Sequence, residues 1–589
     1  MILLPLLPPL LIASSQAHAQ LTPSPTYSPP PAASGTAAST GSPNTQWAAV
    51  LGNSLWFYDA QRSGRLDQGT YGNRVEWRND SGLNDGSDWN LDLTGGWYDA
   101  GDYIKATYPL GFTMFALSWG ALTHGKGYDL AQQTAYLDGT LRWGYDWLIK
   151  AHPSDDVLFI QVGDTDVDNS YWGGDQNIPT PRPAYPINAS HPGTDAWSST
   201  AAAFAMGSLL YSTNGGYNAT NTAGPPSSPS LANATYASTL LNHAETLYRV
   251  ANQTTPYTTF SDSIPAVAGA YGSSGWGHTM ASAALTLALA TNQSSYYADA
   301  YRYYQTYKLT GTHGPWNWDS RTPALYVLFV EAALARPGLA FGAGLDSNVT
   351  GWRNETEAYF DKLINPNSND YWLTKGGLLY WDGDSNEASL NPAIAAAMLM
   401  FKYAPMASTS AKGDSYRAFA QSQVDYMLGK NPMNAVYLVG SHPNSPQNPH
   451  SAAASGGSDI KNIRTDPATN LRVLYGAMVG GPLANDRYWD WRDDWVQNEV
   501  ALDYNAMIPT LAAMQLMNDS AVDPYYVGIQ AGTYSIPSGQ PCDAALPCKT
   551  GLSGGAIAGI VIGTIVGLIL IFGFIWYCYR KDKACFRRK

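Results

Sequence analysis

Between residues 1 and 541 there is no cysteine; the chain's four are Cys542, Cys548, Cys578 and Cys585. The large N-terminal part therefore has neither a disulfide framework nor a thiol nucleophile. The nine histidines form no HxxxH pair and no cysteine cluster accompanies them, so no metal-ligand spacing stands out. Within residues 1–541 a GxSxG elbow, a P-loop and a GxGxxG context are missing as well. That leaves serine-triad hydrolysis and phosphate or dinucleotide binding without support. Basic residues are scarce outside the last ten positions. Residues 580–589 hold six of the 33 lysines and arginines and one of the 46 acids, leaving −18 on residues 1–579. So acidic a chain lacks the basic footprint that nucleic acid requires.

What is present is clearest at the two ends. The first twenty residues, MILLPLLPPLLIASSQAHAQ, are an apolar run closing on Ala17-His18-Ala19. This pattern makes residues 1–19 a signal peptide and predicts secretion. Residues 20–44, rich in Pro, Ser, Thr and Ala, read as a flexible spacer. A large domain follows over 45–525, then a polar stalk over 526–555. Residues 556–579 form an uninterrupted apolar stretch, long enough to cross a bilayer, with Trp576, Tyr577 and Tyr579 at its far end. The basic tail 580–589 then lies in the cytosol, which predicts a type I single-pass protein with its large domain outside the cell. Gly559, Gly563 and Gly567 form overlapping GxxxG patterns in the apolar stretch. Cys542 and Cys548 either close a small loop in the stalk or remain free; Cys578 and Cys585 are palmitoylated or free. Nine Asn-x-Ser/Thr sequons, from Asn79 to Asn518, lie on the same side of the apolar stretch.

Over residues 47–517 apolar residues recur at helical spacing in about twelve stretches, the last expected over 499–517. Several are rich in alanine and glycine, such as ASAALTLALA and NPAIAAAMLM, which lets helix axes approach closely. Between them run long loops rich in Gly, Pro, Asn, Asp and Trp, notably 64–101, 163–194, 313–321 and 440–463. Loops of that length are usually functional or disordered. The reading is all-α with loop-borne chemistry.

Two acidic clusters carry that chemistry. Upstream is Trp97-Tyr98-Asp99-Ala100-Gly101-Asp102; downstream, residues 488–506 read YWDWRDDWVQNEVALDYNA. Two carboxylates three residues apart on a glycine turn can hold one water between them, although a bare DxxD is more often an Asx-turn or a helix cap. Distant carboxyl groups in an aromatic-rich secreted chain suit glycoside hydrolysis, where one protonates the leaving oxygen and another activates water.

Both segments resemble the active-site motifs of glycoside hydrolase family 9, the inverting cellulases. The downstream one matches that family's signature as Tyr488-x-Asp490-x4-Trp495-x3-Glu499-x-Ala501-x3-Asn505-Ala506. The resemblance extends over most of 47–517, through Phe57–Gly64, Gln161-Val162-Gly163-Asp164, Pro181-Arg182-Pro183, Trp318-Asp319 and Tyr426–Pro432. It implies an (α/α)6 barrel, with Asp102 as catalytic base, Asp99 as its partner on the water and Glu499 as general acid. Glu499 must then be protonated at rest, which calls for burial or nearby negative charge. Trp495, Val496 and Val500 are candidates for an apolar wall, and Asp490 and Asp503 for the like charge. Asp490 is also a candidate support behind the site. His450 is matched and would contact a sugar hydroxyl.

The chain departs from the family twice. Ser451 and Ala452 stand where it usually has His-Arg after His450, and Asn169 replaces the histidine of Asp-His-x-x-Trp, although Trp172 is kept. An amide at Asn169 can still hydrogen-bond a hydroxyl. Trp172, Trp316, Trp318 and Trp381 lie in loops and are candidate stacking platforms, with core packing as the even alternative; Tyr504 is a further contact candidate, or plain packing. The reaction requires no cofactor; the Asp-rich loops permit a structural calcium but locate none. The expected function is a surface-anchored inverting endo-β-1,4-glucanase acting on β-1,4-glucan. The alternatives are hydrolysis of another β-glucan, mixed-linkage or the organism's own wall, and a non-catalytic carbohydrate-binding surface protein. Inversion predicts carboxyl groups about 6.5–9.5 Å apart.

Overall fold

The computed structural model describes residues 20–67, 71–212, 229–518, 522–548 and 554–581. The expected signal peptide, the Asn218 sequon and Cys585 with most of the basic tail lie outside them. The described chain forms two compact units, the first running to Gln540 and the second over Pro541–Lys589.

Twelve helices of ten residues or more build the first unit among its described residues: α1 (Thr45–Ala60), α2 (Thr107–His124), α3 (Thr134–Ala151), α4 (Thr194–Tyr211), α5 (Ala234–Gln253), α6 (Gly277–Thr291), α7 (Ser294–Thr306), α8 (Thr322–Ala335), α9 (Val349–Ile364), α10 (Leu390–Tyr403), α11 (Ser410–Met427) and α12 (Ile508–Met517). They alternate in character. All eighteen residues of α4 and all fourteen of α10 are buried, whereas α5 buries only a stripe, including Leu240, Leu247 and Tyr248. A helix apolar on every side must be enclosed, while an amphipathic one covers it from outside. The contacts follow this division. Helices α2, α4, α6, α8, α10 and α12 touch in sequence, and α12 touches α2 again, closing an inner ring. Helices α3, α5, α7, α9 and α11 each pack on the inner helix that precedes them, and α1 packs on α12. This is the double ring that the resemblance implied. Small residues allow it: a Cβ on Gly120 of α2 would come 1.7 Å from Thr510 Oγ1 of α12.

Three expectations need correction. Residues 20–44 do not form a free spacer but a strap along the domain. The Leu21 amide donates to Asp138 Oδ2 at 2.9 Å, the Tyr27 hydroxyl to Asn53 Oδ1 at 2.6 Å and the Asn44 side chain to Asp523 Oδ1 at 2.7 Å. Backbone and side-chain polar groups find fixed partners there, so Pro/Ser richness does not leave the segment loose. The stalk likewise starts later than 526. Tyr526 is buried in the main core, and Asn444 bonds Gly532 and Thr533. The helix expected over 499–517 is broken into the single turn Leu502–Asn505 and then α12, and a separate single turn, Trp495–Asn498, precedes it. Glu499 and Ala501 are extended, and Pro509 starts α12.

Three short antiparallel strands lie beside the ring: β1 (Lys105–Ala106), β2 (Leu158–Val162) and β3 (Ala184–Ile187), in the order β1-β2-β3. Lys105 pairs with Val162 in register. The sheet therefore sets the chain leaving Asp102 beside the chain leading to Asp168. Asp85 buttresses this corner with buried ion pairs to Lys105 at 2.7 Å and Arg182 at 2.8 Å.

In the second unit Cys542 and Cys548 are disulfide-bonded. A thirteenth long helix, α13 (Gly554–Arg580), follows; its segment Ala558–Arg580 is long and apolar enough to cross a membrane, with a mean hydropathy of 2.7.

Candidate active site

Three loops far apart in sequence are sewn together by main-chain hydrogen bonds. The Ala452 amide donates to the Gly101 carbonyl at 2.7 Å, the His450 amide to the Asn498 carbonyl at 2.7 Å and the Leu502 amide to the Asp99 carbonyl at 3.0 Å. The DAGD turn, the His450 loop and the Glu499 segment thus form one surface. Gly101 is required for this closeness, because a Cβ there would meet the His450 carbonyl oxygen at 2.1 Å. The signature residues around Glu499 mostly serve the same purpose. Asp490 accepts the amides of Gln447 and Asn448 at 2.8 and 2.9 Å, which holds the strand of chain leading to His450. Asn505 accepts the Met478 amide at 2.7 Å.

The surface lines an open cleft of about 510 Å3 whose walls include Asp99, Asp102, Asp168, Tyr271, His450 and Glu499. The three expected catalytic carboxyl groups are therefore neighbours. Their environment is dry and crowded with like charge. Burial, with Asp503 and Glu387 beyond it, raises Glu499 to about 8. Burial raises Asp99 well above the carboxylate range, helped by Asp503 and Glu499. Burial also raises Asp102, reinforced by Asp168, Glu499 and Asp99. Of the two acids expected to supply like charge to Glu499, Asp503 does so; Asp490 is occupied with the 447–448 backbone.

His450 is half-buried, and its desolvation lowers it below the usual histidine value. Its Nδ1–H donates to the Arg492 carbonyl at 2.6 Å, so the neutral ring keeps a lone pair on Nε2. The ring leans on Trp172, centroid to centroid 4.9 Å. Trp172 is largely buried yet lines the cleft, and its Nε1–H has no partner among the described residues. Exposed Asn169 lines it too. The other platform candidates divide. Trp318 stands behind Tyr271, edge to face at 4.9 Å. Trp316 is a core residue, fully enclosed against Phe112 and Trp119, and Trp381 is buried in the strand Leu379–Trp381 with its Nε1–H on the His313 carbonyl. Neither has a face left for a sugar. Tyr504 packs against the main core, outside the cleft lining.

One cleft feature was not legible in the motifs, and one expected from the signature takes its place beside it. Tyr271, from the loop following Pro265–Val267, donates its hydroxyl to Asp99 Oδ2. Trp495, the exposed aromatic of the signature, forms part of the cleft wall beside Glu499. The missing arginine has no substitute at its own position: Ser451 caps the turn Ala452–Ser455, and Ala452 is fully buried in a small cluster with Tyr98, Tyr103 and Trp172.

The profile of Glycosyl hydrolase family 9 matches residues 47–512. Endoglucanase A of Bacillus pumilus is 35% identical over 462 residues, 78% of this chain; the chain spans 64% of that protein's length. The solved endoglucanase of the termite Nasutitermes takasagoensis superposes with a TM-score of 0.68 at 35% identity, covering 80% of this chain and 98% of the termite one. Endoglucanase CelQ of Clostridium thermocellum, solved with cellotriose, superposes with a TM-score of 0.66 at 28% identity, over 80% of this chain and 71% of its own. By its profile, its relatives and its double ring of helices, the chain belongs to glycosyl hydrolase family 9.

Proposed function

We propose that the chain is an endo-β-1,4-glucanase that cleaves by a single displacement with inversion, carried on a membrane by α13. The observation that carries this reading is the cleft itself: Glu499 is desolvated and raised to about 8, so it holds a proton at neutral pH, while Asp99 and Asp102 share the same cavity. A protonated carboxyl can donate to the departing glycosidic oxygen. Asp102, in the ionised state it reaches above the acid limb of activity, takes the proton of the attacking water. Asp99, fixed by the Tyr271 hydroxyl, orients that water. Nε2 of His450 accepts a sugar hydroxyl, and Trp495 and Trp172 line the path of the chain. No step needs a cofactor. A β-1,4-glucan substrate is supported by the relatives, of which CelQ is solved with cellotriose.

Replacing Asp102 by Ala, or Glu499 by Gln, is expected to lower kcat on cellohexaose by about a thousand-fold or more. The melting temperature should not fall in either variant. Turnover near the wild-type rate in either one contradicts the assignment.

A second reading, in which a different β-glucan is preferred, is favoured by buried Ala452 in place of a charged contact. Relative kcat/KM on soluble cellulose, mixed-linkage glucan and xyloglucan separates the two.

A further inference from the structure

One carboxyl group at the cleft is left without a task by this mechanism. Asp168 ends the single-turn helix Thr165–Asp168, is 4% exposed and lines the same cavity as Asp102 and Glu499. Its Oδ2 accepts the backbone amides of Tyr103 and Ile104 at 2.9 and 3.1 Å. These residues directly follow Asp102, so Asp168 is fastened to the turn that carries the base. Its other oxygen, Oδ1, is buried without a donor among the described residues, and so is Oδ1 of Asp102. The two side chains meet carboxyl to carboxyl. Ionised carboxylates only accept hydrogen bonds, so this contact is satisfied only when a proton lies between them.

The pair is not symmetric. Burial raises Asp168 as well, but its two amide donors and the positive field of Arg182 oppose that and favour its ionised form over that of Asp102. Asp102 is faced by Asp168, Glu499 and Asp99, all of them acids. When the pair holds one proton, below the acid limb of activity, that proton rests on Asp102; above the limb it has left and Asp102 can act as base.

We infer that Asp168 is a positioning residue for the base, whose free oxygen receives the O–H that Asp102 acquires when it deprotonates the attacking water. The inference rests on the assignment of Asp102 as base. As the water oxygen bonds to the anomeric carbon, its proton passes to Asp102. The glycosidic C–O bond breaks with its electron pair going to the leaving oxygen, which takes the proton of Glu499. Asp102 ends neutral and Glu499 ionised. The new O–H of Asp102 donates to Asp168, which stays ionised throughout, a charge-assisted bond absent before the transfer. The acid limb of activity then belongs to the pair and not to Asp102 alone.

Anchoring the Tyr103 and Ile104 amides needs only an acceptor oxygen, which Asn supplies; what Asn removes is the charge. Asp168→Asn also turns an amide donor towards Asp102, which weakens the base. The test is the pH dependence of kcat and kcat/KM on cellopentaose for the full chain, Asp168→Asn, Asp168→Ser and Asp102→Asn. The expected result for both Asp168 variants is an acid limb of kcat/KM moved down by about one pH unit or more. With it should come a kcat about ten- to a hundred-fold lower at the plateau and a KM within about two-fold of wild type. An acid limb that coincides with wild type in either variant, or an effect confined to KM, overturns the inference. Asp102→Asn separates the two levels: wild-type turnover there removes the base assignment and this inference with it. An inactive Asp102→Asn beside an unshifted Asp168→Asn removes this inference alone.

Discussion

Glu499 holds its proton because it has been moved into a dry place beside Asp503, and that has a cost in stability. An acid raised from about 4 in the unfolded chain to about 8 in the folded one binds its proton more tightly when folded. Its effect is therefore absent below about pH 4, and stability is lost progressively as pH rises through the window up to 8. The melting temperature of the wild-type protein should fall between pH 5 and 8. Glu499→Gln should show a flatter profile and melt higher than wild type at pH 8; calorimetry at the two pH values checks the sign. The same proton governs catalysis, so kcat should decline above about pH 8 as Glu499 ionises. Tyr271→Phe removes the hydroxyl from Asp99, a hydrogen bond worth about 0.5–1.5 kcal/mol. Stopped assays should find kcat lower by about two- to ten-fold with KM little changed. At this scale the sequence is legible where chemistry fixes spacing. Asp99, Asp102, Glu499 and His450 sit in motifs, whereas Tyr271 stands alone in a glycine-rich loop and has no spacing to betray it. Trp316 and Trp172 lie in similar loops, and only the direction of the side chain makes one core and the other cleft wall.

Among the elements, the inner helices can be read because their sequences are apolar on every side and rich in alanine, as in α10, while α5 and α7 carry a stripe. The end of the chain's last barrel helix misled the same reading. Apolar residues continue at helical spacing from Glu499 to Met517, yet the backbone at Glu499 and Ala501 is extended, and the Glu499 carbonyl accepts the amide of Gly480 at 3.0 Å. Local pattern loses here to the need to present a carboxyl at the cleft. The strap over 20–44 escaped for the opposite reason: its composition is that of a linker, and its partners Asp138, Asn53 and Asp523 are far away in sequence. Removing residues 20–38 should therefore lower the melting temperature by about 5 °C or more, since several bonds to the domain and the packing of Tyr27 on Gly52 disappear. A deletion that melts like the full chain would show that the strap adds nothing.

The whole molecule divides where the strap and the post-barrel segment have finished packing, at Gln540. Beyond it come the Cys542–Cys548 bridge and α13, with its exposed apolar side chains. All the residues assigned to the reaction lie before that boundary. The chain cut after Gln540 should therefore keep the kcat/KM of the full chain on cellohexaose, while only the full chain should require detergent for extraction from membranes. The central claim, that Asp102 and Glu499 act on opposite sides of the bond, is tested most directly by the anomer first released. Proton NMR of fresh cellohexaose hydrolysate should show the α-anomer appearing ahead of mutarotation. The β-anomer appearing first would mean retention, and would contradict both Asp102 as base and Glu499 as acid of a single displacement.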